Sequence, residues 1–118
     1  MSYESRIYVV DVRRRAGYTF PCRIAMMEMG AMPYHSGWKE LFKTPIDYTL
    51  YEINGLDEET QEDCYGEHIK SAKLEDVITW LENRIQTEEY RRFRPALGLL
   101  KGFDPDDWDC LEVLHYGH

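Results

Sequence analysis

Residues 73–86, "KLEDVITWLENRIQ", decide the fold class, because they predict an amphipathic helix that needs another element to cover it. Glu75 and Asp76 fall in the first turn, where the helix dipole favours negative charge. The apolar residues recur at helical spacing and form one narrow stripe: Leu74, Val77, Ile78, Leu81 and Ile85.

The segments before this helix predict strands. "SRIYVVDV" (5–12) is rich in β-branched and aromatic residues and has apolar side chains on both faces, as a strand covered on both sides would have. A turn around Gly17 and the strand-like "FPCRIAMMEM" (20–29) complete a long hairpin. Since Pro21 cannot donate to a ladder, we expect full pairing only after Cys22.

The region between the hairpin and the helix is less regular. "HSGWKELFKTP" (35–45) predicts a short helix capped by Ser36. "IDYTLYEING" (46–55) predicts a third strand that ends at an Asn-Gly turn, and residues 62–66 predict a short additional strand.

After the helix, a second helical pattern starts at Tyr90 and ends at Gly102, and Pro95 predicts either a break near Arg94 or a new helix with proline at its first position. "WDCLEVLHYG" (108–117) returns to strand character. The sequence therefore predicts one α+β domain spanning residues 1–118. It combines a mostly antiparallel sheet of about four to five strands with two helices from the C-terminal half and one short helix.

Composition points to an acidic intracellular protein. The chain has 118 residues and a net charge of −8. Residues 51–118 carry seven Lys/Arg and seventeen Asp/Glu, a net of −10, which disfavours direct nucleic-acid binding. Three widely spaced cysteines argue against a disulfide framework. No segment approaches the length of a membrane span and no secretory leader is visible, so we expect a cytoplasmic protein.

Two features predict a surface that binds a protein partner. An acidic block can present carboxylates to a basic partner: Asp57, Glu58, Glu59, Glu62 and Asp63. Trp80 lies off the apolar stripe of the helix, so it either packs under the neighbouring helix or stays exposed as an anchor.

A third feature supports a different class of function. The arginines Arg91, Arg92 and Arg94 lie close together and could hold the anionic group of a nucleotide or another small molecule. A solvated helix face is the alternative interpretation of this cluster.

The chain lacks the usual signatures of catalysis and metal binding. It contains no G-x-S-x-G, no glycine-rich phosphate loop and no H-E-x-x-H. Cys64 and His68 have a ligand-like separation but no second pair, so we predict no metal site, cofactor or catalytic residue. On a strand, His115 and His118 point to opposite faces, and we interpret them as a strand-end residue and a loose terminus.

Three segments, "YESRIYVV", "DCYGEHI" followed by "LEDVITWLE", and "LEVLHYG", together resemble short proteins of phages and prophages of Gram-positive bacteria. The resemblance implies a small, single-domain intracellular protein, and some phage proteins of this size bind and inhibit host defence systems. The leading hypothesis is thus a non-catalytic protein that binds a host or phage protein. A small-molecule or nucleotide-binding protein, which could be an enzyme, and a homo-oligomeric virion or assembly component are the alternatives.

Overall fold

A computed structural model describes residues 4–15, 18–19, 21–32, 35–51 and 59–118. In chain order the elements are β1 (Ser5–Asp11), β2 (Arg14–Arg15), β3 (Tyr18–Thr19), β4 (Cys22–Gly30), β5 (Thr44–Pro45), β6 (Leu50–Tyr51), β7 (Glu59–Thr60), β8 (Lys70–Lys73), α1 (Leu74–Ile85), α2 (Phe93–Lys101) and β9 (Leu111–Gly117). Five of the strands form an antiparallel sheet in the order β4-β1-β9-β8-β5. The predicted α+β class is confirmed.

The predicted N-terminal hairpin is present as β1 and β4. Pairing starts at Asp11 and Cys22, directly after Pro21 and one residue earlier than expected. The register skips Ile24 between the Val9 and Val10 pairs, which places a bulge in β4. The other edge of β1 pairs with β9, so the last strand of the chain lies in the centre of the sheet.

Both faces of the sheet are covered, which explains the continuous apolar run in β1. Ile7 and Val9 pack on the face that α1 and α2 cover, while Tyr8 and Val10 belong to a second cluster on the opposite face. The second cluster contains Tyr8, Val10, Ile46, Ile69, Leu114 and Tyr116. The two-sided burial inferred from the sequence of β1 is confirmed.

The two predicted helices are also present. The stripe of α1 lies in the core, with four of its members buried and Ile85 partly buried. The prediction for Pro95 is wrong in both of its forms, because α2 runs without a break from Phe93 and Pro95 is its third residue. The missing N–H costs no helical hydrogen bond at this position. Gly102 ends α2 as predicted, and its N–H bonds to the carbonyls of the last turn.

The region between β4 and α1 differs from the sequence-based prediction. Residues 35–45 form no α-helix: they contain a single 3₁₀ turn, Lys39–Leu41, which Ser36 does not cap, and they end in β5. Two local features explain the short turn: Gly37 has a φ of +88°, and Trp38 is fully buried in the core. The prediction of a capped helix here is wrong because tertiary packing of Trp38 overrides local propensity.

The predicted third strand is not continuous either. Among the described residues of 46–55 only Leu50–Tyr51 forms a strand, and it pairs with β7 in a separate two-stranded ladder. The strand that joins the main sheet beside β8, Thr44–Pro45, lies just before the predicted range. The Asn-Gly pair within 46–55 and the hairpin residue Gly17 lie outside the described residues. Residues 62–66 form a turn rather than a strand, closed by a single bridge between Glu62 and His68.

In the ranges that the structure describes, neither α1 nor α2 nor any other helix combines the length and the apolar character that crossing a bilayer requires.

Candidate functional sites

The acidic block is described only in part. Asp57 and Glu58 lie outside the described residues, and Glu59 is the first residue of β7. Glu62 is exposed. The Oδ1 atom of Asp63 accepts hydrogen bonds from the backbone N–H groups of Tyr65 (2.8 Å) and Glu67 (3.0 Å), so this carboxylate orders the turn that follows it.

Trp80 is partly buried and packs against α2. Its ring centre lies 5.8 Å from that of Phe93 and 5.3 Å from that of Trp38. The Arg84 guanidinium lies 4.6 Å from the centre of the indole ring. A Cβ atom added at Gly37 would approach Nε1 of Trp80 to 3.1 Å. The indole therefore serves mainly as packing between α1, α2 and the 3₁₀ turn, while one edge lines an open groove.

The three arginines do not converge on one site. Arg91 and Arg94 are exposed and line a surface cavity of about 420 Å³, which they share with Glu88 and Glu89. Arg92 is partly buried, and its guanidinium lies next to Gly30 at the end of β4. Only two of the three arginines therefore reach this cavity, where two carboxylates lie beside them.

The edge strand β4 was not singled out by the sequence. Among the described residues, three large hydrophobic side chains are more than a third exposed, and two of them, Ile24 (45%) and Met26 (50%), belong to β4. No described strand pairs with its outer side. The Tyr90 hydroxyl donates to the Met29 carbonyl (2.8 Å) and covers the C-terminal end, so the open stretch is residues 22–28.

A second feature that sequence reasoning missed is a hydrogen-bonded chain beneath the helices. His115 is only 8% exposed, and its Nε2 lies 2.6 Å from the Ser5 hydroxyl. The Trp38 indole N–H donates to that same hydroxyl at 3.2 Å. The hydroxyl accepts from Trp38 and still has its own proton, and donation of that proton to Nε2 would leave the proton of the neutral ring on Nδ1.

Burial is the main cause of an unusual pKa at this position. Together with the nearby positive charge of Lys39, it lowers the pKa of His115 to about 4. The ring is therefore neutral near neutral pH. Ser5 and His115 are spaced like a nucleophile and its base, but Ser5 is fully buried and accepts from Trp38, so the pair is structural.

His115 forms part of the wall of a cavity of about 400 Å³. Phe42 lies beside it, with ring centres 5.3 Å apart. Lys39 and Glu67 form an ion pair of 3.6 Å between two parts of the cavity wall. The complete lining is Lys39, Phe42, Asp63, Glu67, His68, Lys70 and His115.

The two C-terminal histidines lie on opposite faces, as strand alternation predicts: His115 packs with Trp38 and Phe42, and His118 with Tyr116. The predictions that His115 lies at the end of the strand and that His118 is a loose terminus are wrong. His115 lies inside β9, and His118 is not loose, because its backbone pairs with Glu4 at 2.9 and 3.0 Å. Its Nε2 also lies 2.9 Å from a carboxylate oxygen of Glu28.

In the part of the chain that the structure describes, no three histidine, cysteine, aspartate or glutamate side chains come together as metal ligands. The three cysteines are free thiols, and the sulfur of Cys64 lies 3.1 Å from the Tyr116 hydroxyl.

Comparisons with known proteins return no relative: no family model matches the chain, and neither the curated proteins nor the solved structures include a match to it.

Proposed function

We propose that this chain is a non-catalytic intracellular interaction protein that binds another protein through the open edge of β4. The observation that carries the proposal is the exposure of Ile24 and Met26 on the outermost strand of the sheet. The resemblance to small phage and prophage proteins supports the same class of function and favours a host or phage protein as the partner.

An open strand edge presents backbone N–H and C=O groups that can pair with an extended segment of a second chain. Proteins that avoid such pairing protect an edge with lysine, proline or a very short strand. The nine residues of β4 contain neither lysine nor proline, although the bulge at Ile24 is itself a feature that can protect an edge. Backbone pairing would supply affinity, and the apolar side chains of Ile24 and Met26 would add contact area and specificity.

The charge of the chain indicates what kind of partner fits. A net charge of −8 favours a basic protein, because opposite charge speeds association. The acidic block from Asp57 to Asp63 is the densest source of this charge near the middle of the chain. The proposed partner is therefore a basic protein that offers an extended, partly apolar segment.

The proposal is tested with matched bait variants in a pull-down from lysate of the organism that encodes the chain, with quantitative mass spectrometry. Ile24→Lys and Met26→Lys place a charge on the edge, whereas Tyr65→Lys changes the third exposed hydrophobic residue away from it. We expect a partner that the wild type and the Tyr65 variant retain and both edge variants lose. Equal retention by all baits, or retention by none, would overturn the proposal.

Two further measurements distinguish the alternatives. Added salt should weaken retention, and charge reversal at Glu62 and its neighbours in the block should reduce it, if the acidic surface contributes. Light scattering at several concentrations detects self-association. Dimers that Met26→Lys abolishes would replace the proposed partner with a second copy and support a homo-oligomeric assembly component.

A further inference from the structure

We propose that the cavity beside His115 binds a small oxyanion, a carboxylate or a phosphate, which Lys39 and Lys70 hold. This site is separate from the β4 edge and stands without the proposed interaction function. Sequence analysis assigned anion binding, as an alternative function, to Arg91, Arg92 and Arg94, which do not converge on one site. The anion-binding residues proposed here are Lys39 and Lys70 instead.

The two lysines reach the cavity from different elements. Lys70 lies opposite His115 in the β8–β9 pairing, and opposite residues of an antiparallel pair project from the same face of the sheet. Lys39 belongs to the 3₁₀ turn, and its charge affects the titration of His115. Both lysines line the cavity, so an oxyanion bound between them could contact both ammonium groups.

The ion pairs in the structure are compatible with anion binding by Lys39 and Lys70. Among the described residues, Lys70 makes no ion pair. The Lys39–Glu67 pair spans 3.6 Å with side chains 43% and 56% exposed, so water and salt screen it. An oxyanion that contacts both lysines can displace Glu67 from Lys39, because it would gain a second cation that Glu67 does not engage.

The remaining wall suits a small anion with an apolar or planar part. The neutral His115 ring does not repel an anion by net charge, and Nε2 is the ring nitrogen that contacts Ser5. Phe42 supplies an aromatic surface beside it. His68 is held in place by a hydrogen bond from its Nε2–H to the Ile46 carbonyl (2.9 Å). A volume of about 400 Å³ holds a metabolite-sized ligand.

Two carboxylates, Asp63 and Glu67, also line the cavity and affect how tightly it can bind an anion. Asp63 is occupied with the backbone amides of its own turn, whereas Glu67 competes directly with the ligand for Lys39. Removing the charge of Glu67 should therefore tighten anion binding, which a nonspecific surface would not show to the same degree.

The test is a titration of the full chain with sodium phosphate and, separately, with sodium succinate, each against sodium chloride at equal ionic strength. The ring signals of His115 are followed by NMR. A bound anion should shift these signals in a saturable way and raise the pKa of His115, because negative charge stabilises the imidazolium. The groups that face the ring in this titration are Lys39, Lys70, His68, Asp63, Glu67 and Ser5.

Lys73 provides the matched control. It lies on the same strand as Lys70, but it pairs with Glu112 and points to the opposite face. We expect Lys70→Met and Lys70→Gln to weaken binding about tenfold and Lys73→Met to leave it unchanged. Glu67→Gln should tighten binding severalfold.

NMR shifts that saturate with phosphate but not with succinate would identify the ligand as a phosphate. The reverse result would identify it as a carboxylate. Shifts that grow linearly with either salt, or equal losses in the Lys70 and Lys73 variants, would overturn the proposal.

Discussion

The Ser5 hydroxyl lies 2.6 Å from Nε2 of His115, although 110 residues separate them in the chain. The contact closes a chain of donors that begins at the indole of Trp38. It joins the first strand, the last strand and the loop that precedes the 3₁₀ turn beneath the helical layer. Each member is buried, so the polar atoms depend on one another for their hydrogen bonds.

Ser5→Ala should lower the free energy of unfolding by about 2 kcal/mol, since it removes the buried hydroxyl that accepts from the Trp38 N–H and lies against Nε2 of His115. Ser71→Ala is the matched control, because Ser71 is also buried but its hydroxyl makes only a 3.3 Å bond to the Thr44 carbonyl. Urea denaturation of both variants measures the difference. Equal losses would show that the Ser5 hydroxyl does not hold the chain together.

The pKa of His115 predicts how stability depends on pH. Its value in the folded chain, about 4, lies below the ordinary 6.5, so the unfolded chain binds more protons between these values. The contribution of the neutral ring is complete above about pH 6.5 and is lost as the pH falls toward about 4. Acidification across this window should therefore reduce the free energy of unfolding by about 3 kcal/mol.

Chemical denaturation at several pH values measures how the free energy of unfolding changes with pH. The His115→Gln variant shows how much of that change comes from His115. The variant should be less stable near neutral pH but should show a shallower loss between about pH 6.5 and pH 4. Glu88, whose pKa is lowered by its contacts with His35 and Arg84, contributes its own loss in both proteins at lower pH. An unchanged slope in the variant would contradict the assignment to His115.

The residues that sequence analysis recovered are those whose signal is local. The stripe of α1 repeats at helical spacing, and β1 has the apolar run of a strand buried on both faces, so both follow from residues near in sequence. By contrast, β8 reads "KSAK", which has little strand character, and it becomes a strand through pairing with β9.

The candidate sites could not be predicted from the sequence, because their residues are distant in the chain and only the fold brings them together. Ser5 and His115, or Lys39 and Lys70, carry no mutual signal in one sequence, because only the sheet register and the turn at Trp38 bring them together. Trp80 shows the opposite case. Its position off the stripe was visible, but whether a neighbour covered it depended on where α2 packs.

Trp80→Ala should lower the free energy of unfolding by about 2 kcal/mol, less than a fully buried tryptophan would lose, because part of the ring is exposed. Thr79→Ala, at the exposed neighbouring position, should change it little. Thermal and urea unfolding make the comparison. A stable Trp80 variant that fails to retain a partner in the pull-down would instead identify the indole as a binding anchor.

Alanine substitutions at Gly37, Gly66 and Gly98 distinguish the cost of backbone strain from the cost of steric crowding. Gly37 and Gly66 both have positive φ, +88° and +76°, but only at Gly37 would an added Cβ meet a neighbour, Nε1 of Trp80 at 3.1 Å. Gly98 lies in α2 with no atom within 4 Å of an added Cβ. Gly66→Ala should thus cost about 1 kcal/mol from backbone strain alone, and Gly37→Ala should cost more.

Gly98→Ala should instead stabilise the protein by about 0.5–1 kcal/mol, since alanine favours the helix and restricts the unfolded chain. The order of the three unfolding free energies, measured by urea denaturation, is the prediction. The indole fluorescence of the Gly37 variant should also change, because its new methyl group displaces Trp80 from Trp38. If Gly37→Ala and Gly66→Ala lost the same amount without a change in fluorescence, the 3₁₀ turn would not pack against the indole edge as the structure shows.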